Sequence, residues 1–341
     1  MRLTHSLKTS MPNKNTAGYQ RAKQTLAKKN VLVTGAGGCI GAWTVKMLSD
    51  LGATPIVYDI SDNRSRLQLI YTDADKVDWE LGDVSDFDRL SEVVKQYDIS
   101  SIIHLAALQV PFCIADPIAS TRINVMGSVN ILEVARQHNI SGLSYASSIA
   151  APAMGDNEWL ATLYGAHKVC SEQMAGVYWQ DWQVPSVGIR PAIVYGPGRD
   201  QGMSSAPTIA MLAASTGHDY EIPFTGDVSY VHVEDTAQRF IVAASGSYQG
   251  AQIFDFNGAV ASTEQVIEAI NEHISSTSLT AAGQAMPFPA ELDDNQLNDF
   301  LGLETSRNFV QGVSDTLQSF QEAQSRGIDL SALFESLVTK S

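Results

Sequence analysis

Only three cysteines, Cys39, Cys113 and Cys170, occur in 341 residues, and they are odd in number and far apart. Such spacing suits neither a disulfide framework nor a zinc site, so no metal centre is expected and a reducing, cytoplasmic setting fits best. No apolar run approaches the roughly 20 residues needed to span a bilayer, which argues against a membrane protein. Basic residues are also scarce: 22 Lys and Arg stand against 37 Asp and Glu, for a formal net charge of −15. A body of that sign repels nucleic acid phosphates, and no basic stripe offsets it, so no nucleic acid partner is expected.

Acidic residues are absent from the start of the sequence. Met1 to Asn30 carries Arg2, Lys8, Lys14, Arg21, Lys23, Lys28 and Lys29 and no Asp or Glu, leaving −22 on the remainder. This Ser/Thr-rich opening, short of apolar periodicity, reads as a basic disordered leader over residues 1–29, with a transit peptide or a translation start at Met11 as the alternatives.

What is present is a soluble composition, 44% hydrophobic and 17% charged, and an alternation of short β-branched runs with longer amphipathic stretches. Strands are expected at 30–34, 54–59, 77–81, 101–105, 142–146 and 186–194, with helices at 39–51, 65–71, 87–97, 116–139 and 164–182. That order predicts an α/β fold: a doubly wound (Rossmann) parallel sheet over 30–195. Beyond Tyr195 the pattern loosens at Gly196, Pro197, Gly198 and Gly202. A smaller C-terminal α/β substrate lobe over 196–341 is expected there, with a helix near 207–216, a strand at 252–257 and helices near 263–275 and 305–326. Some of these segments are expected to return to the first domain.

After the apolar strand the chain reads Thr34, Gly35, Ala36, Gly37, Gly38, Cys39, Ile40, Gly41 and then turns helical. Glycines there permit a tight turn and close approach of backbone to a pyrophosphate, Gly41 lets helix and strand pack together, and the helix N-terminus faces the phosphates. Cys39 reads as a small packing residue inside this turn. Asp59 closes the second strand, where a carboxylate can bind the adenosine ribose hydroxyls and repel a 2′-phosphate. NAD is therefore expected over NADP, with Arg64 and Arg66 keeping the alternative open. Asp83 and Val84, after the third strand, are placed to meet the adenine.

Tyr164 and Lys168 stand four apart in YGAHK. On a helix this places phenol and ammonium on one face, where the cation favours the phenolate. A free tyrosine titrates near pH 10, so a base working near neutrality needs a shift of about three units, or roughly 4 kcal/mol. His167 projects away from that face and is expected in solvent or at an interface; neither it nor Pro152 is given a role.

Together, TGAGGCIG, Asp59, GDV at Gly82–Val84, HLAA at His104–Ala107, Ser147-Ser148 and YGAHK resemble the extended short-chain dehydrogenase/reductases, and more narrowly the NAD-dependent epimerase/dehydratase family. RPAIVYGPG at Arg190–Gly198 and YVHVEDTA at Tyr230–Ala237 are similar to stretches of the same family. The resemblance spans roughly Val31 to Ala244. It implies Tyr164 as acid/base, Lys168 as the residue that holds the nicotinamide ribose and lowers the tyrosine pKa, Ser148 as hydrogen-bond donor to the reacting oxygen, and Asn124 as support for the lysine. Leu105, Ala106 and Ala107 would line the cofactor. It also implies a homodimer through helices 116–139 and 164–182, with Val177, Tyr178 and Trp182 as apolar anchors.

Three departures narrow the reading. SSIAAPAMG lacks the aromatic of SSxxVYG, Ile149-Ala150 supplies no acid for dehydration, and Val228-Ser229 stand where sugar-nucleotide epimerases carry a diphosphate-binding arginine. Arg199 or Arg239 could replace that charge, or the pocket could be uncharged and take a smaller, phosphate-free substrate. Gln109 and the loop Arg199–Thr208 are the candidates for substrate contact. The expected activity is NAD-dependent oxidation or reduction of a secondary alcohol on a small carbohydrate-like substrate. An NDP-sugar 4-epimerase is the alternative, and a non-catalytic NAD sensor the third reading, disfavoured because Tyr164 and Lys168 are both retained.

Overall fold

The structure, a computed structural model, describes residues 13–151, 162–202, 204–246, 248–286 and 295–339; Pro152, Met203 and the first twelve residues of the expected leader lie outside them. Among the described residues twelve strands are formed: β1 Asn30–Thr34, β2 Thr54–Asp59, β3 Asp78–Leu81, β4 Ser101–His104, β5 Gly142–Ala146, β6 Ser186–Pro191, β7 Ile193–Tyr195, β8 Tyr220–Ile222, β9 Asp227–His232, β10 Ala251–Phe256, β11 Ala259–Ser262 and β12 Leu279–Ala281. Seven of them make one sheet in the order β10-β6-β5-β4-β1-β2-β3. All its pairings are parallel. Helices cover both faces, so β1 and β4 are buried nearly end to end and read as continuous apolar runs. The strand order reverses between β1 and β4, which opens a crevice at their C-terminal ends.

One expected element is corrected by backbone chemistry. The single strand at 186–194 is two, because Pro191 has no N–H to continue the ladder. β6 stays in the large sheet while β7 leaves to pair with β9 in a three-stranded sheet, β11-β9-β7. The strand expected at 252–257 forms as β10 and pairs with β6, so it is the seventh strand of the Rossmann sheet.

The helix expected over 116–139 is also interrupted. Pro117–Thr121 is followed by a π-helical turn, Arg122–Met126, before Gly127–Gln137 resumes. The Gly127 N–H reaches the Arg122 carbonyl, five residues back. Such a turn shifts the side chains that follow it and is frequent near functional sites.

Part of the expected leader is ordered. Ala17–Leu26 is a helix capped by the Thr16 side chain, and it buries Tyr19, Ala22 and Leu26 against the helix Val233–Ser245. Those three stand at i, i+3 and i+7, a short apolar stripe. Val233–Ser245 is itself buried almost throughout, and Arg239 within it is 1% exposed. Arg307 ties this helix to Phe309–Ser325 through Glu234, Asp235 and Asp315.

Candidate active site

The glycine turn is shaped by close backbone approach. Gly35 has φ +71°, and a Cβ there would stand 2.6 Å from the Ala106 nitrogen on the loop after β4. A Cβ on Gly41 would stand 2.4 Å from the Gly35 carbonyl oxygen, so only glycine lets helix Cys39–Leu51 begin this close to β1. Asp59, at the end of β2, accepts a hydrogen bond from Gly37 N at 2.9 Å and so joins the turn to the second strand.

Both arginines that kept a 2′-phosphate open are engaged elsewhere. Arg66 binds both Asp200 carboxylate oxygens at 2.7–3.0 Å and donates to the Gly37 carbonyl at 2.7 Å. Arg64 donates to the Ala74 and Val77 carbonyls and lies over the Trp79 ring at 4.8 Å. The residues of this turn fit NAD: glycines where a Cβ would fill the cradle, a helix N-terminus, and an uncompensated carboxylate at the ribose position.

A cleft of about 560 Å³ runs from this turn to the C-terminal end of β5. Every residue expected to touch cofactor lines it, from Gly35, Gly37, Gly38, Cys39, Ile40 and Gly41 through Asp59, Asp83, Val84 and Leu105–Ala107 to Tyr164 and Lys168; Ser148, Gln109 and Arg199 line it as well. Burial pushes the Cys39 thiol up to about 12, which suits a packing role.

The helix Leu163–Trp182 carries Tyr164 and Lys168 on one face. Thr162 caps it, and Gly165 is needed because a Cβ would stand 2.2 Å from the Ala150 carbonyl on the serine loop. The Lys168 ammonium is 5.5 Å from the Tyr164 ring centre. Its hydrogen bond goes to the Ala146 carbonyl at 2.6 Å. Lys168 therefore reaches the phenol through its charge and not through a hydrogen bond. Burial pushes the Tyr164 phenol up, while the Ser148 hydrogen bond and then the Arg199 charge pull it down. Burial lowers the Lys168 ammonium to about 8, against the attraction of Cys113 and Glu172.

Ser147 and Ser148 are divided by the alternation of the chain. Ser147 donates to buried Glu172, which also receives Arg190 at 2.6 and 2.7 Å, with Asp255 beyond at 3.5 Å. Ser148 lines the cleft with Tyr164, and its hydroxyl accepts from Ala150 N at 3.1 Å. This carboxylate network was missed in the sequence, because its members are 18 to 108 residues apart and no local pattern joins them.

Asn124 does not line the cleft. Its amide accepts from Leu108 N at 2.8 Å and donates to the Leu108 carbonyl at 2.9 Å, pinning the loop after β4. It also meets His167 Nδ1 at 3.3 Å, and Thr121 meets Nε2 at 3.1 Å. His167 is thus buried between two helices, contrary to the expected exposed position: the π-turn brings Asn124 against the helix's far side.

At the substrate end, Ile149 is a buried packing residue. Val228 and Ser229 are interior to β9, and the Ser229 hydroxyl accepts from Gly258 N. Arg239 cannot stand in for the missing arginine: it donates to the Asp235 and Glu304 carbonyls and to Asn298 and stacks on Phe256.

Residues 31–257 match the model of the NAD dependent epimerase/dehydratase family. A UDP-glucose 4-epimerase of Mycolicibacterium smegmatis is 28% identical over 85% of this chain and 98% of that protein. The human UDP-glucose 4-epimerase is 26% identical over 76% of this chain and 84% of that protein. Among solved structures, a UDP-glucose 4-epimerase of Thermotoga maritima superposes with a TM-score of 0.74 at 20% identity, covering 86% of this chain and 99% of that one. An L-threonine dehydrogenase from Clostridium difficile gives 0.72 at 22% identity, covering 87% and 98%. At these identities the structural likeness establishes the fold.

Proposed function

Because the chain belongs to the NAD dependent epimerase/dehydratase family, we propose that it is an NAD-dependent oxidoreductase that interconverts a secondary alcohol and a carbonyl on a carbohydrate-like substrate. The observation that carries this reading is the joint placement of Ser148, Tyr164 and Lys168 in one cleft, whose other end is the glycine turn. NAD, when bound, supplies the hydride acceptor at its nicotinamide ring. As the phenolate, Tyr164 takes the hydroxyl proton at its oxygen; as the phenol it gives that proton back to the carbonyl. Ser148 donates a hydrogen bond to the same substrate oxygen and stabilises charge developing there. Lys168, held by the Ala146 carbonyl, keeps a positive charge on the tyrosine's face. Asn124 acts from behind, by fixing the loop at Leu108.

Epimerisation uses the same three side chains, and the near full-length match to a UDP-glucose 4-epimerase favours it as the second reading. Against it stand Val228 and Ser229, which are buried in β9 and put no guanidinium at that point of the strand. The test is a panel of sugars, sugar acids and sugar nucleotides with NAD. Net NADH with a free sugar or sugar acid supports oxidoreduction, and epimers without net NADH support the second reading. Tyr164→Phe should abolish turnover while leaving NAD affinity nearly intact.

A homodimer through Gly127–Gln137 and Leu163–Trp182 belongs to this proposal. Val177 and Trp182 are 48% and 49% exposed on that surface, large apolar groups available to a second copy. A monomer by light scattering at micromolar concentration would remove the dimer. Three free thiols fit a reducing, cytoplasmic location.

A further inference from the structure

We propose that Arg199 is the anion-recognising residue of the substrate subsite, and that the preferred substrate is a secondary alcohol bearing a carboxylate, such as a sugar acid. The inference rests on the oxidoreductase reading above and names its substrate class.

Among the described residues three cations line the cleft: Arg66, Lys168 and Arg199. Arg66 is closed by its bidentate pairing with Asp200, and Lys168 is directed to the Ala146 carbonyl. Arg199 has no carboxylate partner among the described residues. Its Nη2 donates to the Ser204 hydroxyl at 3.1 Å, and its Nε is buried without a hydrogen-bond partner. A buried guanidinium N–H left unpaired is costly, and a ligand oxygen relieves that cost.

Position ties this charge to the chemistry. Arg199 sits in the same cleft as Tyr164, near enough that its charge stabilises the phenolate. Gly202, with φ +93°, brings a second polar group alongside: a Cβ there would stand 2.9 Å from Gln109 Oε1 and 3.3 Å from Arg199 Nη2. The chain therefore keeps a gap between an amide and a guanidinium where any other residue would intrude. A carboxylate matches the planar fork of arginine, and a neighbouring hydroxyl matches the glutamine oxygen.

Charge supply argues against a sugar nucleotide. From Gly196 to Ser341 there are five basic residues, Arg199, Arg239, Arg307, Arg326 and Lys340. Arg239 is engaged by Asn298 and two carbonyls, Arg307 by three carboxylates, and Arg326 by the Gln68 and Leu69 carbonyls. The described part of the lobe that would hold a diphosphate thus offers one uncommitted guanidinium, which balances a single negative charge.

The experiment measures kcat/KM for NADH formation across matched pairs of hexuronate and hexose, with a UDP-hexose as third probe, for wild type, Arg199→Ala and Arg199→Lys. The acid should exceed its neutral partner by about 100-fold, the scale of a charge-assisted bidentate pair. Arg199→Ala should erase that preference through KM with NAD affinity unchanged, and Arg199→Lys should keep part of it. Equal use of acid and neutral sugar by wild type overturns the proposal while leaving the oxidoreductase reading standing. So does an Arg199→Ala variant that loses NAD affinity but keeps the acid preference, since the guanidinium then serves the cofactor. Epimers of the UDP-hexose with no NADH from any probe overturn both, and are distinguished by that product.

Discussion

Lys168 lies 5.5 Å from the centre of the Tyr164 ring, yet gives its hydrogen bond to the Ala146 carbonyl at the end of β5. The ammonium is thereby a fixed charge beside the phenol and not its hydrogen-bond donor. Ser148 lines the same cleft and pulls the phenol's pKa down.

Lys168 should titrate near pH 8 in the folded protein, against about 10.4 in an unfolded chain. Its folded pKa is depressed, so burial of the ammonium costs stability below about pH 8, and that cost fades as pH rises toward 10.4. Isotope-labelled dimethyl-lysine NMR should find one lysine titrating near 8 that is lost in Lys168→Arg. Lys168→Met should lower kcat by about 100-fold or more, within the range of acid–base effects.

Preference for NAD should be strong, because Asp59 repels a 2′-phosphate and neither nearby arginine is available to receive one. Asp59→Ala alone should improve NADP affinity only a few-fold. Adding Asp200→Ala releases Arg66 and should gain about a further 10-fold, one charge-assisted contact. Fluorescence titration checks this; equal affinities for the single and double variants would refute the role given to Arg66.

Glu172→Ala should be destabilising by about 3 kcal/mol, since it strips Arg190 of its bidentate partner and Ser147 of its acceptor in a buried network. Urea denaturation measures it. Activity should fall as well, because the same loop carries Ser148. A variant as stable as the parent would show the network to be incidental.

Arg307→Met should cost about 3–5 kcal/mol near neutrality by leaving buried carboxylates unpaired. Burial opposes ionisation of Asp235, but Arg307 overcomes it and holds the folded pKa below the ordinary value. A depressed carboxylate stabilises above its unfolded pKa, near 3.9, and that contribution is lost as pH falls through the folded value. The gap between wild type and variant should therefore narrow below about pH 4. Glu234, which burial raises, protonates earlier and starts the narrowing. Chemical denaturation at stepped pH follows it.

Much of this protein is decided by local order along the chain. The β-branched runs, the glycines of VLVTGAGGCIG, the acid at the end of β2 and the four-residue spacing of YGAHK depend on backbone sterics and helical periodicity, which neighbours in sequence determine. They sufficed for the parallel sheet, the cofactor turn and the face shared by Tyr164 and Lys168. Even Ala17–Leu26 was legible in the stripe of Tyr19, Ala22 and Leu26, had the basic composition not been weighed above it. Other features needed the tertiary structure, since they depend on groups distant in sequence competing for the same partner. Arg66 and Asp200 are 134 residues apart, and their pairing removes one arginine from the cofactor. The burial of His167 follows from a π-turn 43 residues earlier, and the break at Pro191 became a change of sheet only because β9 lies ready to receive β7. Which charges are committed and which remain for a ligand is a property of the packed whole: each arginine's partner is chosen by proximity and desolvation, neither of which exists until the chain has folded.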